Sequence, residues 1–386
     1  MKMKKRFFAV ILSVIIVFSA LVPVCCAQED AGTVKNIIVM IGDGMGENHL
    51  EWTKAVCNVK LNMDSMPYQG YSQTNSLSGT TDSAAGGTAL SSGRRTFNGN
   101  IGEMGFQIGD YDCMIAKFMN TAEIAKSLGK RAGVLTSDAN SGATPAAFSA
   151  HTADRGSDED ITNQQLAGNL DLMWAAANGR VTEEIAVANG WKYVDTLMDA
   201  YALKTGTKTF GAFKGMIQYD DGNKSCAPLS QLTTLAIKQL DCEEGFFLMV
   251  EGAHIDKYSH NNDYEGMMKS LIEFDKAVGE AVKFAENDGN TIVIVTADHE
   301  TGKIVYDSDE GYKYTQTSHS NTDVPLRIYG TDKLVKDGAA TKNYNVSRFT
   351  AEQFGYTGKY PVCEYNITIV FDIFSAIGKA FIDLFK

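Results

Sequence analysis

The chain has 386 residues, of which 44% are hydrophobic and 21% charged, so it is long and apolar enough to bury a large core. Its formal net charge is -12, and this acidic excess argues against nucleic-acid binding, which requires a basic surface. We therefore expect a globular protein whose surface charge opposes self-association.

The N-terminal segment has the pattern of an export signal. Basic residues precede an apolar run over residues 7–24, and Ala27 stands just before a polar residue. We predict a signal peptide over residues 1–27, which places the mature protein in the periplasm, outside the cell or on its surface. The alternative is an uncleaved anchor helix, because the apolar run is close to membrane-spanning length.

Short apolar runs alternate with helical patterns along the rest of the chain. The apolar runs cover residues 36–41, 131–135, 246–250, 291–295 and, more weakly, 325–329. The helical patterns cover residues 163–178, 230–240 and 262–287. This alternation predicts an α/β fold, a three-layer sandwich in which helices flank a mostly parallel central sheet.

Polar residues follow four of the apolar runs directly. Asp43 follows the first run, Asp138 the second, Glu251 the third, and the pair Asp298-His299 the fourth. Ligands of open α/β sheets bind beyond the carboxyl ends of the strands. We therefore expect these side chains to gather at one edge of the sheet.

Two aspartates stand at metal-ligand spacing from a histidine. Asp256 and His260 lie one turn apart if their segment is helical, and Asp298 adjoins His299. A single histidine is more often a packed residue than a ligand, but zinc takes such mixed nitrogen and oxygen ligands. The spacing therefore indicates a metal site.

Ser83 stands in the segment TDSAAGGTA, where small residues suit a tight turn into a helix. A serine at a helix N-terminus is usually a cap, but the backbone N–H groups there can also bind an anion. Its hydroxyl becomes a good nucleophile only when a base or a metal ion activates it.

Six segments of the chain together resemble the alkaline phosphatase family. They are IGDGMG at residues 41–46, TDSAAGGTA at 81–89, ATPAAFSAHTADR at 143–155, VEGAHIDKYSH at 250–260, TADHETG at 296–302 and SHSNTDVP at 318–325. They occur in family order, and the resemblance covers roughly residues 36–330. The resemblance implies hydrolysis of phosphate monoesters through a phosphoserine intermediate, with two zinc ions and one magnesium ion.

The resemblance also implies a role for each matching residue. Ser83 would be the nucleophile, Arg155 would clamp the phosphate, and Lys257 would contact it through water. The implied metal ligands are Asp43, Asp298 and His299 for one zinc, Asp256, His260 and His319 for the other, and Glu251 and Thr144, with Asp43 bridging, for magnesium. The remaining histidines are expected to pack or to orient neighbours: His49, His151 and His254.

Two positions depart from the family pattern. Family members often carry aspartate or histidine two residues before the magnesium-binding threonine, where this chain has Gly142. Because a glycine cannot order the water around the ion, we expect weaker magnesium binding. Thr301 stands where some relatives have a second histidine, but the implied zinc ligands are all present.

We predict that residues 28–386 form one catalytic domain with short peripheral insertions at about 195–228 and 303–318. The tail pattern indicates an amphipathic helix over residues 371–386 with a wide apolar face. We expect this helix to dock on its own domain, with membrane contact as the alternative. The sequence also leaves open whether the protein assembles into a homodimer.

Two other functions compete with the monoesterase interpretation. A phosphodiesterase on the same scaffold usually has a threonine nucleophile and lacks the third metal site, so Ser83, Glu251, Thr144 and Arg155 favour the monoesterase. An inactive metal- or phosphate-binding relative should have lost the nucleophile, a zinc ligand or the phosphate clamp. This chain retains the nucleophile, the six zinc ligands and the clamp.

Overall fold

The computed structural model describes residues 34–108, 111–214, 227–335, 338–359 and 363–365. The predicted signal peptide at 1–27 and the predicted tail helix at 371–386 lie outside these residues. Within the described part of the chain, no helix is both long and apolar enough to cross a membrane.

The described residues form strands and helices, which alternate over much of the chain but give way to consecutive strands between residues 291 and 342. The strands are β1 Asn36–Gly42, β2 Tyr68–Gln73, β3 Glu103–Ile108, β4 Tyr111–Phe118, β5 Arg131–Ala139, β6 Leu172–Ala176, β7 Lys192–Val194, β8 Thr209–Phe213, β9 Phe246–Gly252, β10 Thr291–Thr296, β11 Glu300–Thr301, β12 Val305–Asp307, β13 Gly311–Lys313, β14 His319–Ser320, β15 Val324–Tyr329, β16 Ala340–Lys342 and β17 Cys363–Tyr365. The helices are α1 Glu47–Cys57, α2 Ser83–Ser92, α3 Thr121–Ser127, α4 Ala143–Ala147, α5 Asp158–Ala167, α6 Glu183–Ala188, α7 Leu197–Tyr201, α8 Leu229–Leu240, α9 His254–Ser259, α10 Tyr264–Asp288 and α11 Tyr344–Gln353.

A ten-stranded sheet forms the centre of the described structure, in the order β16-β2-β15-β10-β1-β9-β5-β6-β8-β7. β15 runs antiparallel to both of its neighbours, and the other pairs in this sheet are parallel. Helices pack on both faces, so the predicted three-layer α/β fold is confirmed. The weakest apolar run of the sequence corresponds to the antiparallel strand β15.

Both faces of the sheet are buried, which explains why its central strands are continuously apolar. In β1, Ile38 and Met40 belong to one hydrophobic core, together with residues of α8 and α10. Ile37, Val39 and Ile41 belong to the other core, together with residues of α5 and α11. Alternate side chains of a strand point to opposite faces, so one strand contributes to both cores.

The strand register brings the predicted polar residues to one edge of the sheet. Ile41, two residues before Asp43, pairs with Glu251 on one side and with Thr296 on the other. Thr136 in β5 also pairs with Glu251. The loops after these strands therefore begin at the same level and face one another.

Two parts of the sequence-based description are wrong. The helix predicted over residues 163–178 ends at Ala167, and Leu172–Ala176 form the buried strand β6. A short apolar run cannot be assigned to helix or strand by periodicity alone, and here pairing with β5 and β8 decides it. Within the predicted insertion at 195–228, Thr209–Phe213 form the sheet strand β8 rather than a peripheral turn. The other predicted insertion contains the hairpin of β12 and β13, outside the central sheet.

Candidate metal centre

The loop after β1 positions the first carboxylate. Asp43 is buried, and its backbone N–H donates to the carbonyl of Gly252 at 3.2 Å. Gly44 follows with φ +71°, and a Cβ there would lie 2.8 Å from the Cβ of Asp256. A glycine at this position therefore permits both the left-handed backbone and the close approach to Asp256.

Asp43, Asp298 and His299 form the first ligand group, with ligand atoms all within 4.8 Å of one another. The Nε2 atom of His299 lies 3.4 Å from Oδ1 of Asp43 and 3.3 Å from Oδ2 of Asp298. Oδ1 of Asp298 accepts hydrogen bonds from the backbone N–H groups of Gly44 and His299. One carboxylate oxygen of Asp298 is therefore held by the backbone, and the other faces His299.

Helix α2 carries the predicted nucleophile at its first residue. Asp82 caps this helix by accepting a hydrogen bond from the N–H of Ala85 at 3.0 Å. Ser83 is buried, and its Oγ lies 3.1 Å from Nε2 of His299. The hydroxyl therefore faces the first ligand group from the positive end of a helix.

Gly86 allows α2 to approach this group closely. A Cβ at residue 86 would lie 2.8 Å from the backbone oxygen of Asp298 and 3.1 Å from its Cβ. Any side chain here would push the helix, and Ser83 with it, away from Asp298.

Asp256, His260 and His319 form the second predicted ligand group, in which Asp256 and His319 also have ligand atoms within 4.8 Å of one in His299. The Nε2 atom of His260 lies 3.3 Å from Oδ1 of Asp256 and 3.1 Å from Nε2 of His319, which is 3.7 Å from the same carboxylate oxygen. Asp256 lies in α9 and His260 directly follows that helix, as the spacing predicted. The His299 and His319 rings stack with centroids 3.6 Å apart, so the two groups adjoin.

The pKa values of the second group reflect these contacts. Burial acts to raise the pKa of Asp256, but its hydrogen bond with His260 and the nearby His299 hold that pKa well below the usual range. The same hydrogen bond raises the pKa of His260. Burial lowers the pKa of His319, and so does His299.

Thr301 links the two groups, a role that the sequence did not suggest. Its hydroxyl donates to Oδ1 of Asp256 at 2.5 Å and lies 3.2 Å from Nδ1 of His299. Because a hydroxyl has one proton, Nδ1 must be the donor in the second contact. In a neutral ring, the lone pair of His299 would then be on Nε2, the atom that faces Ser83, Asp43 and Asp298.

Glu251 near the end of β9 and Thr144 in α4 make up the third predicted group. Glu251 is buried and accepts a short hydrogen bond from the hydroxyl of Thr136. Burial and the nearby Asp138 raise the pKa of Glu251 to about 8. Thr144 is buried in α4, and its Oγ1 makes no hydrogen bond.

The residues of these groups fit divalent cations. Oδ1 of Asp43 and Oδ2 of Asp298 are buried without a hydrogen-bond donor, as is Oγ1 of Thr144. Burial and the carboxylates of Asp298, Asp256 and Glu251 raise the pKa of Asp43. Such a cluster concentrates buried negative charge, and a cation coordinated by these oxygens would offset it.

The two predicted phosphate contacts are each paired with a carboxylate. Arg155 Nη1 lies 3.0 Å from Oδ2 of Asp82, the residue that caps the nucleophile helix. Lys257 Nζ lies 2.5 Å from Oδ1 of Asp138. Both cationic side chains are more than 40% exposed, so they can reach a ligand entering from solvent. Asp82 was not predicted as a site residue, and Asp138 was predicted to lie at this edge of the sheet but without a role in the site.

The other three histidines have packing contacts, as expected. His49 is fully buried beside Ser259 Oγ at 3.1 Å, and burial lowers its pKa to about 3. His151 lies 3.0 Å from the carboxylate of Glu123. Burial, assisted by Lys257, lowers the pKa of His254 to about 4.

We expect the metal-free protein to lose stability as the pH rises from about 4.5 to about 8. The folded pKa of Glu251 is raised from 4.5 to about 8, so within this window the folded state retains a proton that the unfolded state has released. Stability therefore falls with rising pH, by a few kcal/mol in order of magnitude. Chemical denaturation of chelated protein across this range measures the effect.

The variant Glu251→Gln should reduce this pH dependence. Some pH dependence should remain, because the pKa of Asp43 is raised as well. Glu273→Gln is a matched control, since Glu273 is a buried glutamate outside the three groups. Equal pH dependence in wild type and Glu251→Gln would contradict the prediction.

The fold and the site geometry define an α/β protein with a buried serine beside clustered carboxylates and histidines. Comparison with known proteins gives the family. A family model described as alkaline phosphatase matches residues 34–175 and 174–352. Alkaline phosphatase 4 of Bacillus subtilis (strain 168) is 32% identical over 301 residues, which cover 71% of this chain and 63% of that relative.

Solved structures agree with this match. The alkaline phosphatase from the Antarctic bacterium TAB5 superposes with a TM-score of 0.75 at 28% identity, covering 85% of this chain and 100% of that one. A variant of the TAB5 enzyme with magnesium bound in its M3 site has a TM-score of 0.72, with 28% identity and coverage of 84% and 99%. The chain belongs to the alkaline phosphatase family, and it is a hydrolase of the phosphatase type.

Proposed function

We propose that the protein hydrolyses phosphate monoesters to an alcohol and inorganic phosphate through a phosphoserine intermediate on Ser83. The observation that carries the proposal is the position of Ser83 Oγ, 3.1 Å from His299 Nε2 and at the N-terminus of α2. That position gives the nucleophile a neighbouring ligand group and N–H groups directed at an anion.

Two zinc ions and one magnesium ion complete the proposed site. Zinc suits the two groups that mix histidine with carboxylate, and magnesium suits the all-oxygen group. The proposed ligands are Asp43, Asp298 and His299 for one zinc, Asp256, His260 and His319 for the other, and Asp43, Glu251 and Thr144 for magnesium. Bound cations would lower the pKa of the serine hydroxyl and offset charge on the leaving oxygen. The TAB5 variant with magnesium in its M3 site supports the third ion.

The charges of the site suit a phosphate dianion. Asp43, Asp256, Asp298 and Glu251 bring four negative charges against three divalent cations. The Ser83 alkoxide adds one more, which leaves the site slightly positive before Arg155 is counted. A dianion can therefore enter without an uncompensated buried charge.

The chain's own residues orient the reaction. The cap of Asp82 on α2 fixes the position of Ser83, and the other oxygen of the same carboxylate holds the Arg155 guanidinium. One aspartate thereby sets the distance between the nucleophile and the phosphate clamp. Arginine suits this clamp because its planar fork can donate two parallel hydrogen bonds to phosphate.

Arg155→Ala should raise both the KM for a monoester and the inhibition constant for inorganic phosphate, each by about 10-fold or more, with a smaller loss in kcat. A guanidinium that binds phosphate equally in the ground and transition states mainly changes affinity. Steady-state kinetics with phosphate as inhibitor measure both constants.

Arg180→Ala is the matched control, because Arg180 has similar exposure and pairs with Asp158 at 2.7 Å. An unchanged inhibition constant in Arg155→Ala would place that residue away from the phosphate.

The test of the proposed function is the relative turnover of a nitrophenyl phosphate monoester and the corresponding diester. We expect the monoester to be hydrolysed faster, because Arg155 and the third ligand group suit a doubly charged phosphate. Preference for the diester would indicate a phosphodiesterase on this scaffold. Absence of turnover with either substrate in zinc-loaded protein would indicate an inactive relative.

We also propose that the protein is exported, on the basis of the signal pattern in residues 1–27. N-terminal sequencing of the protein from the medium or periplasm tests this. A mature N-terminus close to residue 28 is the expected result, and retention of the full N-terminus in the cytosol would contradict export.

A further inference from the structure

The side chain of Asp138 occupies the space that Gly142 leaves open. A Cβ at residue 142 would lie 2.7 Å from Oδ2 of Asp138 and 3.2 Å from its Cγ. Gly142 immediately precedes α4 and stands two residues before Thr144. A carboxylate is therefore present where the sequence indicated none, and it comes from the end of β5.

Asp138 also contacts two other parts of the site. Its Oδ1 accepts a hydrogen bond from Lys257 Nζ at 2.5 Å. Its backbone N–H donates to Oγ1 of Thr136 at 2.8 Å, and the hydroxyl of Thr136 donates in turn to Glu251. Asp138 thus lies between Lys257, Glu251 and the start of the helix that carries Thr144.

We propose that Asp138 is a positioning residue that supplies the carboxylate missing from position 142. One of its oxygens holds Lys257 at the site, and the other orders the water around a magnesium ion held by Glu251 and Thr144. This inference rests on the proposed function, and it reverses the expectation that Gly142 weakens magnesium binding.

The first experiment measures magnesium binding by calorimetric titration of the zinc-loaded enzyme with magnesium alone. Asp138→Ala should weaken magnesium binding by about 10–100-fold, the usual effect of losing a side chain that orients a metal's immediate surroundings. Asp195→Ala is the matched control, because Asp195 is similarly exposed and also pairs with a lysine, at 2.6 Å. The control should bind magnesium like the wild type.

The second experiment moves the carboxylate to position 142. Gly142→Asp alone should not tighten magnesium binding, because its side chain would collide with the Asp138 carboxylate and repel it. The double variant Asp138→Ala with Gly142→Asp has room for the new side chain and should regain most of the lost affinity. If Asp138 only stabilised β5, a carboxylate at position 142 would not restore the magnesium affinity.

The outcomes separate this inference from the proposed function. If the wild type binds zinc and hydrolyses monoesters while Asp138→Ala retains its magnesium affinity, the inference is overturned and the proposed function stands. Failure of the double variant to bind magnesium better than Asp138→Ala also overturns it. A zinc-loaded wild type without monoester turnover overturns the proposed function and this inference with it.

Discussion

Replacing Ser83 with alanine should lower monoester turnover on the order of 10³-fold or more, while the protein stays folded and retains its zinc. The hydroxyl is the attacking group in the proposed reaction, and it is not among the proposed metal ligands. Water in the site could still attack the bound ester slowly, so a small residual rate is expected. Steady-state kinetics and metal analysis of the same preparation measure both quantities.

Ser92→Ala is the matched control, since Ser92 is a buried serine at the opposite end of the same helix. Its hydroxyl donates only to the carbonyl of Thr88 within the helix, so its loss should leave turnover nearly unchanged. Wild-type turnover in Ser83→Ala would remove Ser83 from the role of nucleophile.

Asp298→Asn should release zinc from the first ligand group and lower turnover by several orders of magnitude. Asp298 is fully buried, with one oxygen held by backbone N–H groups and the other free for a cation. The substitution removes the negative charge that would help to hold the ion. Atomic emission analysis of the purified variant should find about one zinc ion per chain fewer than in the wild type.

Asp275→Asn provides the control for a buried aspartate outside the site. Its carboxylate accepts hydrogen bonds from the backbone N–H groups of Asn62 and Met63, so the substitution can lower stability. It should leave the zinc content unchanged. Full zinc content and full turnover in Asp298→Asn would exclude Asp298 as a ligand.

The sheet edge that carries the site could be predicted because the candidate ligand residues stand at the ends of the predicted strands in the sequence. Asp43, Glu251 and Asp298 each stand at or just beyond the end of a continuous apolar run, and parallel strands align their carboxyl ends. The one-turn spacing of Asp256 and His260 was equally informative, since α9 places both at one ligand group.

Other features depend on contacts that the local sequence does not encode. The short apolar sequence of β6 would suit a buried helix as well as a strand. Its pairing with β5 and β8 makes it a strand. Asp138 lies beside Gly142 because the chain turns between β5 and α4, and Thr301 bridges two ligand groups from β11. Such partners become visible only when segments distant in sequence are brought together.

The central claim is that a zinc-dependent phosphate monoesterase is built from these ligand groups. Zinc content and monoester turnover, measured on the same preparation before chelation, after chelation and after zinc is restored, test this claim most directly. We expect two zinc ions per chain, loss of turnover on chelation and its recovery with zinc. Undiminished monoester turnover in protein shown to contain no zinc would contradict the claim.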